Sequence, residues 1–269
     1  MNRRPVVAGQ FYPAEKKDLI RQIEQFIDKD AKKIEAKGAI MPHAGYIYSG
    51  LVAGQTVSRI ALKDTFIMLG PNHTGNGEPF SIITEGSWQT PLGEVKIDSD
   101  LAKAILKGSR LLKEDAEAHA YEHSIEVELP FLQYFTKDFK IVPIAVFPAE
   151  ITIYKQIAES IVKAIEEKGK KDSVVIIASS DMTHYESQKD AQVKDKQALD
   201  AVLKLDEDAL VKTVKDLNIS MCGYAPTAIM LAATKLLGAK KAKLIKYQTS
   251  GDASGDYSSV VGYAGVIVN

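Results

Sequence analysis

Val174-Val175-Ile176-Ile177-Ala178, running directly into Ser179-Ser180-Asp181-Met182-Thr183-His184, is the stretch that decides the fold. Five apolar residues in a row, four of them β-branched, make a strand with no polar face. Such a strand must be covered on both sides, which is the pattern of a parallel sheet layered with helices. The run then gives way to hydroxyl, carboxylate and imidazole groups, at the place where an open α/β sheet gathers its ligand-binding loops.

Outward from this strand the same grammar recurs. Ala39-Ile40-Met41 ends at Pro42-His43, and Thr65-Phe66-Ile67-Met68-Leu69 ends at Gly70-Pro71-Asn72-His73. Apolar spacing predicts helices over 14–34, 49–61, 100–108, 121–135, 150–167, 189–204 and 206–215, with a further helix opening at Cys222 and reaching about 237. Ile141–Val146 reads as a strand whose Pro143 argues against a fully paired central position. Residues 80–97 read as short strands and turns, and 242–248 with 259–268 as a closing pair around the polar loop 249–256. The whole predicts one α/β domain, 1–269, with a mixed, mostly parallel central sheet flanked by helices.

Composition narrows the function. Thirty-four basic against thirty-five acidic residues leave a formal charge of −1, so the chain offers no field for a nucleic acid or an anionic membrane. No stretch reaches membrane-spanning length and the start lacks a signal-peptide core, so the cytoplasm is the expected location. A single cysteine, Cys222, forms no intrachain disulfide. Arginine occurs only at positions 3, 4, 21, 59 and 110, and the resulting Lys/Glu-rich surface matches a thermophilic or archaeal composition.

Three of the five histidines, His43, His73 and His184, follow strands, where a parallel sheet brings loops to one edge. Neutral imidazole is a common metal ligand, and three such groups suffice for a site with open positions. Each also has a plain reading as a turn or surface residue. Asp181 stands three residues before His184 and could orient it for acid/base work, or merely cap a turn. Cys222 at a helix start could be a lowered-pKa thiolate, or a small core residue beside Met221 and Ala225. His123 and Glu126 share a face of the predicted helix 121–135, as a pocket wall or a solvated surface. Phosphate-loop, dinucleotide and nucleophile-elbow signatures are lacking.

Taken in order, Ala8-Gly9-Gln10-Phe11-Tyr12-Pro13, Pro42-His43-Ala44-Gly45-Tyr46-Ile47-Tyr48-Ser49-Gly50, Gly70-Pro71-Asn72-His73, Glu122-His123-Ser124-Ile125-Glu126, Ser179-Ser180-Asp181-Met182-Thr183-His184-Tyr185 and Cys222-Gly223 resemble the Memo family over nearly the whole chain. This family comprises the mediator of receptor-driven cell motility and the B protein of AmmeMemoRadiSam systems. The resemblance implies a fold like that of class III extradiol dioxygenases (LigB-like), with their active site kept as a pocket. It implies metal ligation by His43, His73 and Cys222, acid/base and supporting roles for His184 and Asp181, and a substrate pocket that includes His123, Glu126 and Tyr46. The implied cofactor is a redox metal, iron first, with copper or zinc as alternatives. The expected activity is metal-dependent redox chemistry on a small molecule; the alternative is a non-catalytic cleft for a peptide or protein. Radical-SAM and AMMECR-type proteins of the same system are the implied partners.

Overall fold

The computed structural model describes residues 2–269. Its strands are β1 (Asn2–Arg3), β2 (Gly38–Met41), β3 (Thr65–Pro71), β4 (Phe80–Ile82), β5 (Ser87–Thr90), β6 (Gly93–Ile97), β7 (Lys113–Glu114), β8 (Lys140–Val146), β9 (Val174–Ser179), β10 (Asp181–Glu186), β11 (Ala242–Thr249) and β12 (Val260–Val268). Its helices are α1 (Lys16–Glu24), α2 (Tyr46–Val57), α3 (Ser99–Gly108), α4 (Glu117–Ala120), α5 (Leu129–Phe135), α6 (Ile151–Glu167), α7 (Gln188–Leu203), α8 (Glu207–Asp216), α9 (Tyr224–Leu236) and α10 (Gly251–Ser254).

All six residues of β9 are buried, and the strand lies in the sheet centre with β3 on one side and β2 on the other, both parallel to it. β8 pairs parallel with β3, and β6 parallel with β8. Beyond β2 the direction reverses. β12 runs antiparallel to β2 through Val266–Val268 and antiparallel to β10 through Val260–Tyr263, so β10 takes over the edge of β12 where β2 stops. β11 lies antiparallel along β12. The result is a mixed, mostly parallel sheet. α9 covers β9, β3 and β2, backed by α6 and α8, while α2 lies on β11 and β12. One continuous core runs from Tyr12 to Val268, with β11 packed against it.

Three helix boundaries and the placement of one proline differ from the sequence reading. The helix expected over 14–34 stops at Glu24, and Asp28 then uses its side chain to accept from the Asp30 amide, a local bond that competes with helix. The helix expected at 49–61 runs from Tyr46 to Val57, starting at Gly45. The helix expected over 121–135 shrinks to Leu129–Phe135 after one turn of 3-10 helix at Glu126–Glu128; Pro130, which lacks an amide proton, fits only its first turn. Pro143 does lie in a central strand. Its outer neighbour changes from β6 at Lys140–Ile141 to β4 at Ile144–Val146, and the proline falls in the gap between the two ladders. Among the described residues, no helix is long and apolar enough to cross a membrane.

Candidate metal centre

Because β9 is flanked by β3 and β2, the loops that carry His73 and His43 rise on either side of the β9 end. Neighbouring strands are about 4.8 Å apart, so side chains leaning inward from two such loops can meet. They do: the His43 and His73 ring centroids are 5.2 Å apart. Cys222 arrives from the other direction, just ahead of α9, and its Sγ stands 3.4 Å from His43 Nε2. Ligand atoms from His43, His73 and Cys222 all lie within 4.8 Å of one another. Gly223 permits this approach. A Cβ there would collide with the Ser179 carbonyl and Ser180 Cβ, while the Gly223 amide donates to Ser180 Oγ at 3.1 Å.

Both imidazoles are turned by their outer nitrogens. Ser179 Oγ donates to the Ser124 carbonyl at 2.7 Å, so its 2.7 Å bond with His43 Nδ1 is one in which the ring N–H donates. His73 Nδ1 stands 3.0 Å from Glu122 Oε1, and an ionised carboxylate only accepts, so this nitrogen also carries the proton. In each neutral ring Nε2 is then left bare, the form that ligates a metal. Burial, followed by the charges of His73 and His123, pushes the His43 pKa well below the usual imidazole range. Burial acts to raise Glu122, yet the hydrogen bond and charge of His73, the charge of His123 and the Ser124 amide hold its carboxyl well below the usual range.

The thiol departs from expectation. Burial, then the charge of Asp181, pushes Cys222 well above the usual thiol range, outweighing the helix start. Its sulfur accepts from the Asp181 amide at 3.3 Å. A bound cation would reverse that preference, since coordination deprotonates a thiol outright. The donor set of two imidazoles and a thiolate therefore fits a soft or borderline metal: iron, copper and zinc are all compatible with it.

Asp181 does not orient His184 by a hydrogen bond. Its Oδ1 accepts instead from the His43 amide at 2.9 Å, locking the turn after β2, and burial pushes its pKa up to about 6. His184 is held by Ser220: its amide donates to Ser220 Oγ at 2.7 Å and its Nδ1 to the Ser220 carbonyl at 2.9 Å. Both Asp181 and His184 line a cavity of about 640 Å³ together with His43, His73 and His123. The His123 ring stacks on His73 at 4.9 Å and 20°, so it walls the cavity beside His43 and His73. Tyr185 and Tyr48 stand at its exposed rim, Tyr185 with a positive φ of 59°.

Two expected pocket residues are elsewhere. Glu126 is wholly buried, with its carboxylate paired to Arg3 at 2.7 Å and accepting from the Val6 and Val7 amides and the Tyr12 hydroxyl. It ties the N-terminal segment to the body of the fold. Tyr46 is also buried, packed at a tilt against Phe131, with its hydroxyl donating to the Val127 carbonyl. Sequence reading missed Glu122, Ser179 and Ser220, which bond the rings of His73, His43 and His184, three of the four cavity histidines. Glu122 and Ser179 had a visible signal, since each is a polar residue inside a motif already singled out.

Fold and site together define an α/β protein with a histidine–cysteine cluster at the carboxyl ends of its parallel strands. The family model described as Memo-like protein matches residues 3–267. A MEMO1 family protein of Methanopyrus kandleri is 42% identical over 99% of both chains, and one of Methanosarcina acetivorans is 45% identical over 99% of this chain and 98% of its own. The chain belongs to the Memo family. A MEMO1 family protein of Pyrobaculum aerophilum is 40% identical over 98% of both chains. The crystal structure of an uncharacterized protein from Escherichia coli K12 shares the fold, with a TM-score of 0.59 at 9% identity over 86% of this chain and 99% of that one.

Proposed function

We propose that this Memo family protein is metal-dependent, holding a redox-active iron or copper ion with His43, His73 and Cys222 and acting on a small molecule bound in the strand-end cavity. The observation that carries this reading is the convergence of three donor atoms from three separate loops within 4.8 Å, beside a cavity of about 640 Å³. That volume suits a compact organic molecule. When bound, such an ion supplies Lewis acidity and electron transfer.

The remaining work falls to the chain. His184, with its Nδ1 proton committed to the Ser220 carbonyl, presents a bare Nε2 as a proton acceptor on the cavity wall. Asp181, pushed up to about 6 by burial, exchanges a proton near neutral pH at the same wall. Tyr263 and His123 line the cavity beside them and narrow the space left for water. Protein purified without oxygen is expected to carry about one equivalent of metal by mass spectrometry, lost in His43→Ala. Full retention in that variant contradicts the reading.

A second reading rests on the rim. Tyr185 is 79% exposed and Tyr48 42% exposed, and both line the cavity mouth, where aromatic side chains favour partner binding. A cleft of this kind would take a peptide side chain or a partner's terminus, with radical-SAM and AMMECR-type proteins as candidate partners. Capture of such a partner would then survive His43→Ala, whereas metal-dependent turnover would not.

A further inference from the structure

We infer that Glu122 is the positioning residue of the centre: a carboxylate that holds His73 in the one tautomer and orientation able to ligate a metal, from a turn that belongs to no strand of the site. The inference rests on the reading of His43, His73 and Cys222 as metal ligands.

Glu122 is 1% exposed, and both of its oxygens act only as acceptors. Oε2 takes the His73 amide at 2.5 Å. Oε1 takes His73 Nδ1 at 3.0 Å, the His123 amide at 2.9 Å and the Ser124 amide at 2.8 Å. One carboxylate thus clamps the main chain and the ring of His73 together, fixing the ring relative to its own backbone. It does so while also shaping the 122–124 turn that stacks His123 on the His73 ring.

The turn is seated on the end of β3 by two further features. Ser124 Oγ donates to the Pro71 carbonyl at 3.1 Å, and a Cβ on Gly70 would come within 2.5 Å of Ser124 Oγ and 2.9 Å of Ile125 Cγ1. Only a glycine at position 70 lets the turn settle this closely. Arg3 closes the arrangement from behind by donating to the Glu122 carbonyl, the His119 carbonyl and Glu126. His73 itself is partly exposed, its side chain 33% accessible, and its ring touches His123 and His43, so the carboxylate is the hydrogen-bonding group that fixes which nitrogen faces the cluster.

A glutamine at this position cannot substitute. Whichever way its amide turns, the NH2 group faces an N–H donor, either the His73 amide or the cluster at Oε1. Outer carboxylates on metal-ligating histidines commonly contribute about 10–100-fold in metal affinity. The expected result for Glu122→Gln is a loss of that size.

The test has two arms. Nitrogen NMR of the metal-free protein reads the His73 tautomer directly: Nδ1–H with bare Nε2 in the parent, and a mixture containing Nε2–H in Glu122→Gln. Competition titration with zinc then compares affinities, with His43→Ala as the variant that lacks a ligand. A parent protein with no more zinc affinity than His43→Ala sinks the metal reading, while the tautomer arm still judges the role of Glu122. An unchanged tautomer and unchanged affinity in Glu122→Gln overturn the positioning role. Should the glutamine variant not fold, Glu122→Asp serves, because a side chain shorter by one methylene withdraws from His73 Nδ1; the same shift in tautomer and fall in affinity are expected, and their absence overturns the proposal.

Discussion

His43 is gripped from within the sheet, whereas His73 is gripped by a turn that folds in from elsewhere in the chain. The partners of His43 are Ser179 at the end of β9 and Asp181 at the start of β10, a neutral hydroxyl on the ring and a carboxylate on the backbone. Those of His73 all belong to Glu122. The first half of the centre therefore inherits its rigidity from β9, all six residues of which are buried. The second half depends on one carboxylate and on the clasp of Arg3 and Glu126 behind it.

The sharpest way to break this contrast is at the clasp. Glu126→Ala leaves the Arg3 guanidinium buried without its partner, a change that costs about 3–5 kcal/mol. Urea unfolding should show that loss, and His73 rather than His43 should become mobile in the folded remainder. On the sheet side, Gly223→Ala drives a Cβ against the Ser179 carbonyl, and overpacking of this kind costs about 1–3 kcal/mol. Thermal unfolding reads the loss, and zinc affinity should fall with it because Cys222 moves away from His43.

Acidity separates the halves more gently. Asp181 has a folded pKa of about 6 against an ordinary 3.8, so between those values the native chain keeps a proton that the unfolded chain has released. Its stabilisation is complete below about pH 4 and is lost as the pH rises through 6. Metal-free protein should therefore gain about 1 kcal/mol on going from pH 7 to pH 5, relative to Asp181→Asn measured alongside it. The smallest effect is expected at Ser179→Ala, which removes a neutral partner from His43. One such bond contributes about 1 kcal/mol, so zinc affinity should fall about five-fold, less than in Glu122→Gln. Equal losses at the two positions would erase the distinction between the halves.

How much of this was legible in the sequence follows the same division. The apolar run at 174–178 and the strand-end placement of His43 and His73 could be read directly, because periodicity reports burial and a parallel sheet sends its loops to one edge. The strand Asp181–Glu186 could not, since its polar residues carry no apolar alternation and its partner β12 lies about eighty residues on. Glu126 shows the limit most plainly. A carboxylate beside histidines looks like a site residue, yet its charge is spent on an arginine 123 positions away. Glu122, four residues earlier, is the carboxylate that reaches the histidines, and only the direction of each side chain in space tells them apart.

X-ray absorption on zinc-loaded protein addresses the convergence itself. One sulfur at about 2.3 Å and imidazole nitrogens at about 2.0–2.1 Å are expected, with the sulfur shell gone in Cys222→Ala. A first shell of nitrogen and oxygen alone, or one that Cys222→Ala leaves intact, would contradict a centre built from His43, His73 and Cys222.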